Sequence, residues 1–267
     1  MLGLLEVERG ARVLEIGTAS GYVAALLSER LGEENVYSIE LDQALAELAA
    51  ANLHATGYMP QLRHGDGERG WPEAAPFDHL IATCALRNIP HNLVKQVRRG
   101  GIIVAPLARD FWSGALVQLT VQDDGSASGP IRGGASYMPM RSHRTPDGPP
   151  VKGKARAIDT TLDPRRLLTL GFAIYAGARM PGVSMVHREL GAKAEVWLMD
   201  GAGSGAYCEP DEQARQYGER DLWSDVEKAY QEYAALGSPE SDVFGLTVTP
   251  RGQEVRLAHP GRVIVSA

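Results

Sequence analysis

The sequence predicts a doubly wound, mainly parallel α/β sheet with a smaller α+β unit behind it. Three observations predict this. Short apolar runs alternate with amphipathic runs through the first half of the chain. The first apolar run stops at two glycines four residues apart. The alternation then breaks at a Gly/Pro-rich stretch, Arg144 to Gly153.

Each element follows from its local pattern. Arg12 to Ile16 reads as a strand, and Tyr22 to Leu31 as a helix with Val23, Leu26, Leu27 and Arg30 at helical spacing. Val36 to Ile39 is the next strand. Asp42 can N-cap the Ala/Leu-rich helix that runs through Ala55 and stops at Gly57. Strands follow at Gln61 to His64, Asp78 to Ala82 and Gly101 to Pro106, with a helix through Asn92 to Val97 before the last. Leu116 to Val121 alternates as a further strand. Beyond the linker, Pro164 to Leu170 begins a helix, while Phe172 to Ala176 and Glu195 to Met199 read as strands. Leu222 to Leu236 is an amphipathic helix, and Val243 to Thr249 with Glu254 to Leu257 makes a closing hairpin. The expected division is residues 1–141 and 142–267.

Composition narrows the function classes. The 267 residues are 44% hydrophobic and 22% charged, as in an ordinary globular protein. A net charge of −6 argues against sequence-independent attraction to nucleic acid. No apolar run approaches the roughly 20 residues of a membrane span, and no leader pattern follows Met1. Two distant cysteines, Cys84 and Cys208, fit a reducing, cytoplasmic compartment and read as small buried hydrophobes. The seven histidines never group at metal-ligand spacing, so no metal is expected.

The run Val13 to Tyr22, V-L-E-I-G-T-A-S-G-Y, places Gly17 and Gly21 in the turn between the first strand and first helix. Backbone amides there can receive a polar ligand. A dinucleotide fingerprint needs a second glycine close to the first so that backbone can approach a pyrophosphate. Here Ala19 stands in that approach, which disfavours NAD or FAD. Glu40 closes the second strand, where a carboxylate can accept hydrogen bonds from both ribose hydroxyls. Asp66, in H-G-D-G, adds a second acid on the same rim. Two acidic acceptors and a glycine turn without phosphate chemistry suggest a nucleoside lacking phosphates. S-adenosylmethionine is the common one.

The runs V-L-E-I-G-T-A-S-G-Y, Y-S-I-E-L-D, H-G-D-G-E-R-G-W-P, A-P-F-D-H-L-I-A-T-C-A-L-R-N-I-P and R-R-G-G-I-I-V-A-P-L stand in the order seen in protein-L-isoaspartate O-methyltransferases. The resemblance covers about Leu4 to Arg141 and ends in S-Y-M-P-M; G-D-G-x-x-G-W-P is its most distinctive run. It implies a Rossmann-like class I methyltransferase sheet and a methyl donor held by Glu15, Gly17, Thr18, Ala19, Ser20, Gly21, Glu40, Leu41, Asp66 and Gly67. It also implies a protein or peptide carboxylate acceptor near Thr83, Cys84 and Ala85.

Three departures qualify it. That family usually has glycine where Ala19 stands; alanine is the smallest intrusion, and donor binding is expected to survive. The family's N-terminal segment, with a Thr-Ile-Ser-type run that grips the acceptor, is expected to be missing. Residues 142–267 extend past the usual end, and this part resembles the tails of actinobacterial methyltransferases of the type, some of which modify aspartate in ribosomally made peptides.

Methyl transfer to a carboxylate needs no general base, because the acceptor is already ionised at neutral pH. No catalytic side chain is therefore assigned. His64 is a candidate base for a hydroxyl acceptor, though a strand-end histidine is more often structural, and Cys84 reads as core packing. T-C-A-L offers neither the N/D-P-P-Y-type turn for adenine methylation nor a Pro-Cys nucleophile for cytosine. The rival reading is a non-catalytic donor-binding or peptide-recognition protein. Arg141, His143, Arg144, Lys152, Lys154 and Arg156 form a basic run, read first as solvated linker and second as a guide for an acidic peptide. G-A-G-S-G at Gly201 to Gly205 reads as a flexible loop rather than an anion cradle.

Overall fold

The computed structural model describes residues 1–144, 153–210, 212–258 and 263–264. In chain order its elements are β1 (Val13–Ile16), α1 (Tyr22–Leu31), β2 (Val36–Glu40), α2 (Gln43–Ala55), β3 (Gln61–His64), β4 (Phe77–Ala82), α3 (His91–Val94), β5 (Val97–Arg109), β6 (Trp112–Val121) and β7 (Ala127–Gly134). Then come β8 (Arg156–Ile158), α4 (Leu170–Arg179), β9 (Val183–Leu190), β10 (Lys193–Asp200), β11 (Gly205–Cys208), β12 (Ala214–Tyr217), α5 (Leu222–Ala235), β13 (Phe244–Thr249) and β14 (Gly252–Leu257).

The main sheet has nine strands in the order β14-β13-β7-β6-β5-β4-β1-β2-β3. From β3 to β5 all neighbours are parallel, so the α/β expectation holds for this half. Strand order reverses between β1 and β4, and a crevice opens at the carboxyl ends of strands on either side of such a reversal. β6, β7 and the β13–β14 hairpin then extend the sheet antiparallel. A second, antiparallel sheet runs β8-β12-β11-β10-β9.

Local chemistry explains the element ends. Asp42 caps α2 as expected, accepting from the backbone N–H groups of Ala44 and Leu45. Gly21 opens α1 at φ 86°, a left-handed conformation that suits glycine. The buried stripe of α1 is Ala24, Leu27, Ser28 and Leu31, one residue on from the expected stripe, and Leu26 is exposed. Small residues on the inner face hid its phase.

Two expectations about the second half are corrected. Phe172 to Ala176 is not a strand but lies in α4, where Gly171 to Ala176 are all buried. A segment buried all round shows no 3.6-residue periodicity to distinguish it from a buried strand. The Pro164 region makes only a 3-10 turn, Pro164–Leu168. The expected closing hairpin exists, but β13 pairs with β7, so residues beyond 142 complete the main sheet. One hydrophobic core runs from Leu14 and Phe77 through Phe111 and Phe172 to Trp223 and Phe244. Phe111 and Phe172 meet edge to face at 5.9 Å. The expected linker lies mostly outside the described residues.

Candidate functional site

The crevice forms where β1 and β4 end. Past β1 the chain turns at Gly17, φ 98°, where a Cβ would come within 2.9 Å of Thr83 Oγ1. Thr83 leaves β4 and donates its hydroxyl back to the carbonyls of Ile16 and Gly17, tying the two strand ends together. Gly67 is equally confined: a Cβ there would sit 2.5 Å from Ile16 Cγ2. Glycine at these two places lets three loops converge.

The result is a cleft of about 220 Å³. On one side stand Glu40, Asp42 and Asp66; the apolar Leu41 and Leu45 lie beside them, and Thr83 and Cys84 form the floor. The cleft is also lined by a strap, Met138, Pro139 and Met140, which sequence reasoning missed as a site element, followed by Arg141 and Arg144 of the basic run. The strap is pinned on both flanks. Ala85 N–H donates to the Met138 carbonyl, and Met140 N–H to the Ala85 carbonyl, both at 2.9 Å. Ser142 Oγ donates to Glu68 at 2.6 Å and His143 Nε2 meets the same oxygen at 2.7 Å. His143 Nδ1 accepts from the Arg87 N–H, which leaves the proton on Nε2. The signal available in sequence was S-Y-M-P-M, two methionines around a proline directly before a basic run.

Of the expected donor residues, Gly17, Ala19, Glu40, Leu41, Asp66 and Gly67 line this cleft. Glu15, Thr18, Ser20 and Gly21 do not. Glu15 is fully buried beneath the turn, where Ser38 Oγ donates to its Oε2 at 2.6 Å and Thr18 Oγ1 stands 2.6 Å from that serine. Its Oε1 has no hydrogen-bond partner among the described residues. Burial, opposed by the Ser38 hydrogen bond and reinforced by the charge of Glu40, raises the Glu15 pKa to about 8. Ser20 is exposed and its carbonyl accepts from Asn52; Gly21 packs against Leu53. Of the expected acceptor residues, Thr83 and Cys84 line the floor, while Ala85 is buried in the strap contact.

The electrostatics suit a polar ligand that is not a phosphate. The N–H groups of Gly17 and Thr18 both donate to the Ile39 carbonyl, that of Gly21 to Thr18, and that of Ala19 to Glu40 Oε2 at 2.9 Å. These amides are engaged, and the acidic lip repels a pyrophosphate. Glu40 Oε1 accepts from Asp42 N–H at 3.0 Å, so the carboxylate is held rigidly with lone pairs left for hydroxyl donors. Burial, then the charge of Glu40, pushes the Cys84 thiol up to about 11, so it is no thiolate nucleophile at neutral pH. His64 Nε2 faces the Leu41 carbonyl at 3.1 Å, a structural contact. The Gly201–Gly205 loop is closed by Asp200, which accepts from Ala202 and Ser204 N–H groups; it is a turn. Among the described residues no group of acids, histidines or cysteines is arranged to hold a metal ion. No helix among them is long and apolar enough to cross a membrane. A larger hollow of about 420 Å³ lies between α4 and α5. There Arg179, Tyr175 and Glu232 already satisfy one another.

Comparison with known proteins gives the family and the fold. A model of the family described as protein-L-isoaspartate(D-aspartate) O-methyltransferase matches residues 1–145. Protein-L-isoaspartate O-methyltransferase 1 of Nitrosospira multiformis is 42% identical over 146 residues, 53% of this chain and 59% of that protein. Protein-L-isoaspartate O-methyltransferase of Opitutus terrae is 51% identical over 102 residues, 38% of this chain and 43% of that protein. The chain thus spans about half the length of the curated relatives it matches. A solved protein-L-isoaspartate O-methyltransferase superposes with a TM-score of 0.58 at 18% identity, covering 96% of this chain and 78% of that one, a likeness of fold. The family match spans more than half of this chain, from the first residue through the strap, and the chain belongs to the protein-L-isoaspartate(D-aspartate) O-methyltransferase family.

Proposed function

We propose that this chain is an S-adenosylmethionine-dependent carboxyl O-methyltransferase acting on aspartyl or isoaspartyl groups of a protein or peptide. The observation that carries the reading is the fixed Glu40 carboxylate at the lip of a cleft whose floor, Thr83 and Cys84, lies at the switch point. The donor fits these residues: Glu40 and Asp66 offer acceptors for hydroxyl and amine groups, Leu41 and Leu45 offer an apolar face for a purine, and Gly17 and Gly67 keep the floor open. Bound there, S-adenosylmethionine supplies an electrophilic methyl group on a sulfonium. The acceptor carboxylate has an ordinary pKa of about 4 and is ionised at neutral pH. The chain's own task is to orient the two partners and exclude water, for which the Met138–Met140 strap is placed. The two free cysteines support a reducing, cytoplasmic setting. The acidic lip and net charge of −6 support a peptide rather than a nucleic-acid partner.

The test is transfer of a labelled methyl group from S-adenosylmethionine to a panel of aspartyl and isoaspartyl peptides, with thermal shift by S-adenosylhomocysteine and by NAD in parallel. Base-labile methyl ester on a panel peptide is expected, with stabilisation by the nucleoside product and none by NAD. Binding without turnover would favour a donor-binding or peptide-recognition protein instead. Stabilisation by NAD alone would remove the donor assignment.

A further inference from the structure

The floor of the cleft is poorly equipped to grip an anion. Thr83 spends its hydroxyl proton on Ile16 and Gly17, the Cys84 thiol points to the Ile16 carbonyl at 3.8 Å, and the Ala85 N–H is taken by Met138. The acid-lined side, with Glu40, Asp42 and Asp66, repels a carboxylate. Among the described residues that line the cleft, positive charge comes only from the strap. There Arg141 is paired with Asp42 at 3.4 Å. Behind it His143 is held by Glu68. Arg144 also lines the cleft, and among the described residues it has no ion pair or hydrogen bond.

We propose that Arg144 is the cation that receives the acceptor's carboxylate, a specificity-determining contact supplied by the strap. The proposal rests on the carboxylate-acceptor reading above. A guanidinium holds a carboxylate by two parallel charge-assisted hydrogen bonds, stronger than neutral ones and fixed in plane. That geometry both selects an anion and presents its oxygens in one orientation. A methyl ester carries no charge, so the same contact favours substrate over product and lets the product leave.

The test uses the full chain saturated with S-adenosylhomocysteine. The probe is a dye-labelled, end-blocked pentapeptide whose isoaspartyl residue carries its one carboxylate; the control is the same peptide as its neutral amide. Anisotropy titration should show the wild-type chain preferring the carboxylate by about tenfold or more, the scale of a charge-assisted contact. Arg144→Gln and Arg144→Met should abolish that preference and Arg144→Lys should restore part of it, with S-adenosylhomocysteine affinity measured by calorimetry in each variant so that every titration is run on fully loaded chain. Preference retained in Arg144→Gln and Arg144→Met, or absent from the wild-type chain, would overturn the assignment. Methyl transfer to the same peptide separates the two readings. Turnover with the preference intact in Arg144→Gln sinks only the role of Arg144. No wild-type turnover, with the preference lost in Arg144→Gln, sinks the transferase reading and leaves Arg144 as an anion receptor.

Discussion

Glu40 and Ala19 are joined across the mouth of the cleft: the Ala19 N–H donates to Glu40 Oε2 at 2.9 Å, linking the turn after β1 to the end of β2. The bond gives Glu40 two duties. It fixes the glycine turn, and it presents a carboxylate whose other lone pairs face the cleft. Because Asp42 N–H holds the second oxygen, the group cannot rotate away without losing both partners. A rigid acceptor of this kind loses little entropy when a ligand's hydroxyls arrive.

Glu40→Ala should therefore weaken S-adenosylhomocysteine binding. A hydrogen bond to a charged acceptor contributes about 1.5–3 kcal/mol, so calorimetry is expected to show at least a tenfold loss. Glu40→Gln, which keeps one carbonyl acceptor, should lose less. Unchanged affinity in the alanine variant would remove Glu40 from the site.

Ala19 sits at φ 49°, in the left-handed region where a Cβ is strained. The penalty for an L residue there is about 1–2 kcal/mol. Glycine removes it but gains about 0.4–1 kcal/mol of unfolded-state freedom. Ala19→Gly is thus expected to stabilise the chain by about 0.5 kcal/mol in urea unfolding. It should leave nucleoside affinity within threefold, because the N–H to Glu40 remains. Ala19→Val should destabilise, its β-branch adding to the strain. A valine variant as stable as the wild type would show that the turn is not held in this conformation.

Much of this was legible beforehand, and the reason is periodicity. The parallel half announces itself because short apolar strands alternate with helices, the first preceded by Gly21 and the second opened by Asp42 and ended before Gly57, and its rim acids fall at strand ends. The strap was not legible as a wall. Met138, Pro139 and Met140 carry no repeating pattern, and their place is set by backbone bonds to Ala85, 53 to 55 positions away. The family resemblance implies Glu15 as a donor contact. Strand alternation instead turns it inward to Ser38, below the turn. α4 was missed because burial on every side erases the contrast on which helical spacing depends.

Glu15 should leave a signature in the pH dependence of stability. Its folded-state pKa of about 8 lies above the ordinary 4.5. Between those values the folded chain keeps a proton that the unfolded chain has released. Stability from this group is then complete below 4.5 and falls as pH rises, by up to ~1.4 kcal/mol per unit, until it is lost through pH 8. Buried His79, whose pKa is lowered by desolvation, acts in the opposite direction below about 6.5. Comparing wild type with Glu15→Gln cancels that contribution. Urea unfolding at pH 5.5 and pH 8 should show the variant gaining on the wild type as pH rises. Parallel behaviour at the two pH values would mean that Glu15 is ionised throughout.

The last prediction concerns whether residues 142–267 form a separable unit, as the sequence division at 141/142 proposes. The hairpin β13–β14 lies in that stretch, yet β13 pairs with β7 through Leu246 opposite Gly129 and Val248 opposite Ala127. The approach of β13 to β7 is close: a Cβ at Gly245 would meet the Gly129 carbonyl at 3.1 Å. Phe244, Leu246, Val248, Val255 and Leu257 are all buried in the core that also holds Leu14 and Phe77. Removing the Phe244 ring should cost about 3–5 kcal/mol, the range for a buried Phe→Ala. If the two stretches are one cooperative unit, hydrogen exchange of Phe244→Ala should show β6, β7 and α5 losing protection together and by the same free energy. Urea unfolding should remain a single transition at a lower midpoint. Should β6 and β7 soften while α5 and the second sheet keep full protection, the units unfold separately, and the boundary at 141/142 marks two domains after all.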